Sequence, residues 1–152
     1  MYNIELKHIT LENAQAEILK ASENICSTFQ LEEQFGVISF GLHELVSLIE
    51  RCSDNQDATF SVNFYIEAEK ISVQITDCQV LNEVSAMITK ATLDDADTTA
   101  YTVGCLMDSC ELRDGGRELW LDIAVHSTFG TIDRAAVLQH EQVKKDAEVR
   151  NN

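Results

Sequence analysis

Two serines and a histidine recur at helical spacing near the middle of this chain, and residues of these types can form a hydrolytic site. Ser39, His43 and Ser47 are each four residues apart, so they fall on one side of a helix. A Ser–His pair can activate a hydroxyl nucleophile. However, neither a nucleophile-elbow motif nor an oxyanion-hole motif accompanies these residues. The sequence therefore does not support a Ser-His-Asp hydrolase.

The thiols and imidazoles do not form a metal-binding pattern. The five cysteines are odd in number, no two have Cys-x-x-Cys spacing, and the four histidines are scattered, whereas a zinc site needs clustered ligands. Four of the cysteines fall in apolar, periodic segments and are expected to act as small core residues. Cys105 and Cys110 are close enough in sequence to meet, but a core helix accounts better for their spacing. We therefore expect no metal, no disulfide scaffold and a reducing cytoplasmic compartment.

Two carboxylates are the remaining candidates for chemistry. Glu44 lies in an amphipathic stretch from 43 to 49, which precedes a charged hairpin with strands expected at Ala58–Glu67 and Lys70–Asp77. From the residue pattern alone, Glu44 is expected to be a solvated carboxylate on a helix. From the same pattern, Asp77 is expected to be a turn residue at the end of a strand.

This order of a glutamate-bearing helix, a hairpin and a strand-end aspartate resembles the GHKL (histidine-kinase-like) ATPase family, and in particular the small anti-sigma-factor serine kinases. The resemblance covers roughly Tyr2 to Val125 and is strongest from Phe35 to Leu81. It implies that Glu44 stands at the position of the family's general base. It also implies that Asp77 stands where the family holds the adenine amino group.

The residues that make this family's motif specific are replaced here. The metal-binding Asn of the family corresponds to Leu48, and the two turn glycines correspond to Gln79 and Leu81. Leu48 has no oxygen to offer a metal, and a triphosphate needs a metal to offset its charge. The resemblance therefore implies vestigial positions at Glu44 and Asp77, with no catalytic residue, no metal and no cofactor.

The loops that would hold the phosphates also depart from the family. The glycine-rich phosphate loop is expected at 100–103, and only Gly104 appears there. The preceding lid segment carries Asp94, Asp95 and Asp97, which would repel a triphosphate.

The net charge of −15 restricts the classes of partner. A surface this acidic repels phosphate backbones and anionic lipids. We therefore expect neither nucleic acid nor membrane as a partner. No apolar run approaches the length of a membrane span, and the N-terminus lacks the pattern of a secretory signal. A protein partner with a basic patch is the better electrostatic match, although the charge can also serve solubility alone.

Hydrophobic periodicity predicts an α+β fold. Alternation predicts strands at 2–8, 58–67, 70–77 and 119–125, while apolar stripes predict helices at 11–29, 32–51, 82–90 and around 103–110. Thr10 is placed to cap the first helix, and 113–117 reads as a turn. This order indicates a two-layer sandwich with helices on one face of a mostly antiparallel sheet, which is also what the GHKL resemblance implies. We assign 1–130 to this degenerate GHKL-like domain. The rest, 131–152, is a C-terminal helix and polar tail packed on, or extending from, the same domain.

Three functions remain open. The first is a non-catalytic GHKL-like regulatory module that binds a protein, resembling an anti-sigma factor that has lost its ATP site. The second is an active serine-protein kinase or ATPase with divergent motifs, and the third is a structural domain that forms a homodimer. Trp120, which shares a polar strand face with Glu118 and Asp122, is the candidate partner surface; the alternative is that it lies under the C-terminal helix.

Overall fold

Alternating apolar residues build an antiparallel sheet in the computed structural model, which describes residues 2–125. Five described strands pair in the order β1-β2-β3-β5-β4, and every neighbouring pair is antiparallel. Their bounds are β1 Tyr2–Thr10, β2 Thr59–Ile66, β3 Lys70–Thr76, β4 Ser109–Arg113 and β5 Glu118–Ala124. The expected hairpin is confirmed, since β2 and β3 are joined by a turn in which the Glu67 N–H donates to the Lys70 carbonyl at 2.9 Å.

Four α-helices within the described residues complete the fold. They are α1 Leu11–Thr28, α2 Phe35–Cys52, α3 Leu81–Lys90 and α4 Thr99–Leu106. The helix α1 begins where expected, because the Thr10 hydroxyl accepts a hydrogen bond from the Asn13 N–H at 3.2 Å and caps the first turn. Within residues 2–125, no helix is both long and apolar enough to cross a bilayer.

The core lies between one face of the sheet and the apolar stripes of the helices. Alternate residues of the three central strands are almost completely buried, and they belong to one cluster with the inner residues of α1 and α2. The strand members of this cluster are Phe60, Val62, Phe64, Ile66, Ile71, Val73, Ile75, Leu119, Leu121 and Ile123. The predicted α+β class is thereby confirmed for the described residues, and the arrangement is compatible with the predicted two-layer sandwich.

The first strand departs from simple alternation near its end. The pairing of β1 with β2 shifts register between Leu6 and Ile9, and His8 adopts a left-handed backbone with φ of 53°. This bulge turns Ile9 into the core and leaves His8 exposed. Simple alternation over 2–8 predicts His8 on the same buried face as Leu6, and this prediction is wrong because a bulge inserts a residue into the side-chain alternation.

The second helix begins later in the chain than predicted, and its stripe of buried residues is narrower than predicted. A turn of 3-10 helix at Glu32–Gln34 precedes α2, which begins at Phe35 rather than at Glu32. The apolar pattern of this helix predicts that Val37, Val46 and Leu48 all widen its buried stripe. Val46 and Leu48 do so, but Val37 is 39% exposed. Val37 lies only three residues before Phe40, which is also exposed, so both share the outer side of the helix.

The segment before the last strand was predicted incorrectly. Cys110 was expected on a helix with Val103, but α4 ends at Leu106 and Cys110 lies on the edge strand β4, paired with Leu121. Cys110 fits the helical spacing of the preceding segment only by coincidence. Its own segment alternates with the two-residue period of a strand. The turn at Asp114–Gly116 then reverses the chain as predicted, with positive φ at Asp114, Gly115 and Gly116.

The expected helix after 131 and the polar tail lie outside the described residues. The proposed division at residue 130 therefore also lies outside them.

Candidate functional site

Glu44, which the GHKL resemblance assigns to the general-base position, is a half-buried carboxylate on α2. Glu44 lies with its Oε2 atom 3.2 Å from Nδ1 of the exposed His43 side chain. Ser47 does not engage this pair, since its hydroxyl donates to the His43 backbone carbonyl at 3.1 Å. Ser39 likewise donates to the Gly36 carbonyl, at 3.4 Å. The serines of α2 therefore bind helix backbone, and no serine–histidine dyad forms.

The expected metal-ligand position lies inside the hydrophobic core. The Leu48 side chain is 0% exposed, and Leu81, at the second vestigial glycine position, is 1% exposed. Both belong to the same cluster as Val84 of α3 and Val103 of α4. The resemblance implies that a side chain at this glycine position would project into the nucleotide space, but Leu81 packs within this cluster instead. The position that the resemblance assigns to the metal ligand is thus part of the buried apolar core.

Asp77 terminates β3 in a left-handed turn and is held by neighbouring strands. Its φ is 55°, a conformation that Asp tolerates better than most residues. The Ser61 hydroxyl donates to Asp77 Oδ2 at 3.2 Å and itself accepts from the His8 N–H at 3.0 Å. This chain of hydrogen bonds links the end of β3 to the bulge in β1. Gln79, the other vestigial glycine position, is exposed.

A polar cleft of about 510 Å³ opens beside Asp77, between the end of α2 and the start of α3. Four carboxylates line it, from Asp54, Asp57, Asp77 and Glu83. Among the described residues that line the cleft there is no Lys, Arg or His. A triphosphate would therefore meet like charge here rather than a compensating cation.

Two cysteines in the cleft walls are kept as thiols. Burial is the main cause that raises the pKa of Cys52, with the Glu83 carboxylate adding to it. Burial also raises the pKa of Cys78, although the N–H of Val80 opposes this effect. A raised pKa lowers the fraction of nucleophilic thiolate at neutral pH. Arg51 opposes the rise in the pKa of Cys52 without reversing it, so the surroundings of neither cysteine favour the thiolate.

The acidic lid segment is bound to the body of the domain. Asp97 Oδ2 lies 2.6 Å from Nη1 of Arg51, at the end of α2, and Asp97 Oδ1 accepts from the Thr99 N–H at 2.9 Å. That N–H, helped by the Thr99 hydroxyl and Arg51, lowers the pKa of Asp97. Asp95 accepts two bonds from Thr92, from its N–H at 2.9 Å and from its hydroxyl at 3.2 Å. These carboxylates therefore stabilise the loop itself, while Asp94 is exposed.

The expected phosphate loop is helical. Residues 100–103 lie within α4, and Gly104 lies in its last turns with no positive φ. A Cβ added at Gly104 would meet Ile88 of α3 at 3.7 Å, which is an ordinary packing distance. A side chain would therefore fit at this position, and the glycine lies in a helix rather than in a phosphate cradle.

Trp120 lies on the sheet face opposite the core, as predicted. Its indole stacks on the Tyr65 ring with centroids 5.5 Å apart and planes inclined by 18°. The Arg113 guanidinium lies 4.6 Å above the indole, and the indole N–H donates to Glu118 at 2.8 Å. The indole is thus held by neighbours from three strands and remains partly accessible. Whether a partner contacts it stays a prediction.

A polar network around Trp120 was not predicted. Gln74 is buried and accepts hydrogen bonds from Asn63 at 2.8 Å and from the Tyr65 hydroxyl at 3.2 Å. Asp122 accepts from Ser72 at 2.7 Å and from a second strand neighbour, Ser109, at 3.1 Å. The polar alternation of β3 and β5 indicates a polar sheet face. It does not show which polar residues lie opposite each other, because strand register decides that.

No protein-family model matches the chain, and no curated protein is significantly similar to it in sequence. Among residues 2–125, no three His, Cys, Asp or Glu side chains converge in a way that could hold a metal ion.

Proposed function

We propose that this protein is a non-catalytic, GHKL-like regulatory module that acts by binding another protein, resembling an anti-sigma factor that has lost its ATP site. In this proposal Glu44 and Asp77 are vestiges of the base and adenine positions. They serve the fold, and no cofactor or metal is needed.

The observation that carries the proposal is the complete burial of Leu48 within the core. In the family that position needs an oxygen facing a solvated metal. A metal-binding oxygen at this fully buried position would be an unpaired polar group in the core. Burying such a group costs about 2–7 kcal/mol, depending on the reference state. The helical conformation of residues 100–103 supports the same conclusion, since a phosphate loop needs backbone N–H groups that are not used by a helix.

Electrostatics supports a protein ligand over a nucleotide. The cleft beside Asp77 has four lining carboxylates, and the chain carries a net charge of −15. These charges oppose anionic ligands and favour a partner with a basic surface.

Titration calorimetry with Mg·ATP and with Mg·ADP tests the proposal. We expect no binding at submillimolar nucleotide, because a hydrogen bond to Asp77 would contribute only about 1–3 kcal/mol. That is too little to offset the cost of ordering the nucleotide. The outcome that overturns the proposal is a micromolar Kd that is lost in Asp77→Asn. It would favour the serine-kinase or ATPase alternative.

Partner binding has its own test. A native partner isolated with the full chain is expected to associate more slowly as salt rises, because ions screen the attraction between an acidic surface and a basic one. An on-rate that does not change between low and high salt contradicts the electrostatic part of the proposal.

A further inference from the structure

Three of the four large apolar side chains that are exposed within residues 2–125 lie on α1 and α2. Leu19 of α1 is 45% exposed, while Val37 and Phe40 of α2 are 39% and 52% exposed. The fourth, Leu93, lies apart in the loop before α4 and is 69% exposed. Scattered exposed apolar side chains are normal, but Leu19 and Phe40 line the same surface groove and need an explanation.

A groove of about 450 Å³ runs between these two helices on their outer side. Ala16 and Leu19 form one wall, and Phe40 with His43 forms the other. At one end, the Gln15 amide donates to the His43 carbonyl at 3.0 Å and ties the helices together. The groove is therefore apolar, open to solvent and separate from the cleft beside Asp77.

Glutamates border this groove at both ends of its α1 wall. Glu12 lies one turn before Ala16 and Glu23 lies one turn after Leu19, so both continue the same helix stripe. Lys20 is the neighbouring cation on α1. Carboxylates thus outnumber ammonium groups on the rim.

We infer that this groove between α1 and α2 is a docking site for an amphipathic helix with basic flanks on the partner protein. A third helix can pack into the groove between two antiparallel helices and cover their apolar residues with its own. Lysines or arginines on its flanks would face the rim glutamates. This inference rests on the proposed protein-binding function and specifies its surface.

A second copy of this chain fits the groove less well. Two copies related by a twofold axis would bring the same glutamate-rimmed surfaces together, and like charges at an interface are unfavourable. Charge complementarity therefore favours a basic helix over a second copy of this acidic surface.

A labelled synthetic peptide provides the probe. It has leucine at the a and d positions of a heptad repeat and lysine elsewhere, and its binding to the full chain is measured by fluorescence anisotropy. Two control peptides keep parts of this design: one replaces lysine by glutamate, and one scrambles the leucine–lysine order at constant composition. We expect the patterned basic peptide to bind, and to bind more weakly at high salt. The scrambled and acidic peptides should bind at least about tenfold more weakly.

Substitution in the chain localises the site. Phe40→Ser is expected to weaken the patterned peptide about tenfold or more, whereas the matched change Leu93→Ser should leave its affinity unchanged. Both residues are largely exposed, so both variants should fold, which a thermal melt checks. Equal binding by Phe40→Ser and parent, or by scrambled and patterned peptides, would overturn the inference.

Sedimentation of the chain alone measures its oligomeric state and so tests whether a second copy occupies the groove. We expect a monomer, or a dimer unaffected by Phe40→Ser; a dimer that Phe40→Ser dissociates would assign the groove to a second copy and overturn the inference. Nucleotide binding, by contrast, would reject the proposed function without involving Phe40. The two failures are therefore distinguishable.

Discussion

The terminal methyl of Met107 lies 2.7 Å from the point that a Cβ on Gly41 would occupy. Gly41 is in the middle of α2, and Met107 directly follows α4. The absent side chain at Gly41 therefore allows the end of α4 to rest directly on α2. This contact lies within the helix layer, one turn before Glu44, and it gives the first prediction.

Gly41→Leu is expected to destabilise the fold by about 1–3 kcal/mol, because the new side chain would push into Met107 and Leu106. Gly41→Ala should stay within about 1 kcal/mol of the parent, since the flexible end of Met107 can move and alanine favours the helix. Gly36→Leu is the matched control, because nothing lies within 4 Å of a Cβ there. Urea unfolding measures all three, and equal losses at Gly41 and Gly36 would contradict the packing described.

Leu48→Asn introduces the side chain that the GHKL resemblance implies at this position, and we expect it to damage the fold without creating a metal site. The asparagine amide would enter the core without hydrogen-bond partners, which should lower the free energy of unfolding by about 2–4 kcal/mol. Ser47→Asn, one residue away and half-buried, should cost less than about 1 kcal/mol. Thermal melts with and without Mg·ATP provide the measurement. A stable Leu48→Asn variant whose melting temperature rises with Mg·ATP would contradict the proposal.

Asp122→Asn is expected to remove stability at neutral pH but not in acid. Burial, the largest influence, raises the pKa of Asp122, but the hydroxyls of Ser72 and Ser109 and the Lys70 ammonium together lower it. A carboxylate whose folded pKa is depressed stabilises the fold above its unfolded pKa of about 3.9. This contribution is lost as pH falls through the lower folded pKa.

The free energies of unfolding of Asp122→Asn and the parent should thus differ by about 1–2 kcal/mol at pH 7, and the difference should shrink from about pH 5 downward. Asp94→Asn, at an exposed loop carboxylate, is the control and should follow the parent throughout. Urea titrations at a series of pH values provide the test. A gap between Asp122→Asn and the parent that widens in acid would contradict the linkage.

Cys105 is expected to react with iodoacetamide at pH 8 before Cys26 and Cys110. Cys105 is exposed. Burial, with a contribution from the Glu32 carboxylate, raises the pKa of Cys26 to about 12. Burial, aided by Glu111, raises that of Cys110 to about 11. Mass spectrometry of peptides over time measures the order, and guanidinium should abolish it. Modification of Cys26 as fast as Cys105 in the native protein would contradict the described burial.

The elements with strong periodicity were predictable from the sequence. Phe60 to Ile66 and Leu119 to Val125 alternate without interruption, so their buried face follows from the two-residue period of a strand. Thr10 and the turn at 113–117 were predictable for a similar reason, because capping and left-handed turns depend on local residue types.

Predictions that needed contacts between distant segments failed or were missed. Cys110 fits a helical stripe as well as it fits a strand, and only its pairing with Leu121 decides the matter. The bulge at His8 follows from register with β2, where Ser61 binds its N–H. Neither fact is encoded in local propensity, which tertiary pairing overrides.

The sequence by itself determined the α+β class, the acidity, and the absence of an oxygen ligand at Leu48 and of glycines at Gln79 and Leu81, because these depend on residue identity and local period. The tertiary structure alone decided that Leu48 and Leu81 are core residues, that Asp77 is bound to Ser61, and that Phe40 and Leu19 share one groove. These facts depend on which segments meet in space, and that is set by packing across the whole domain.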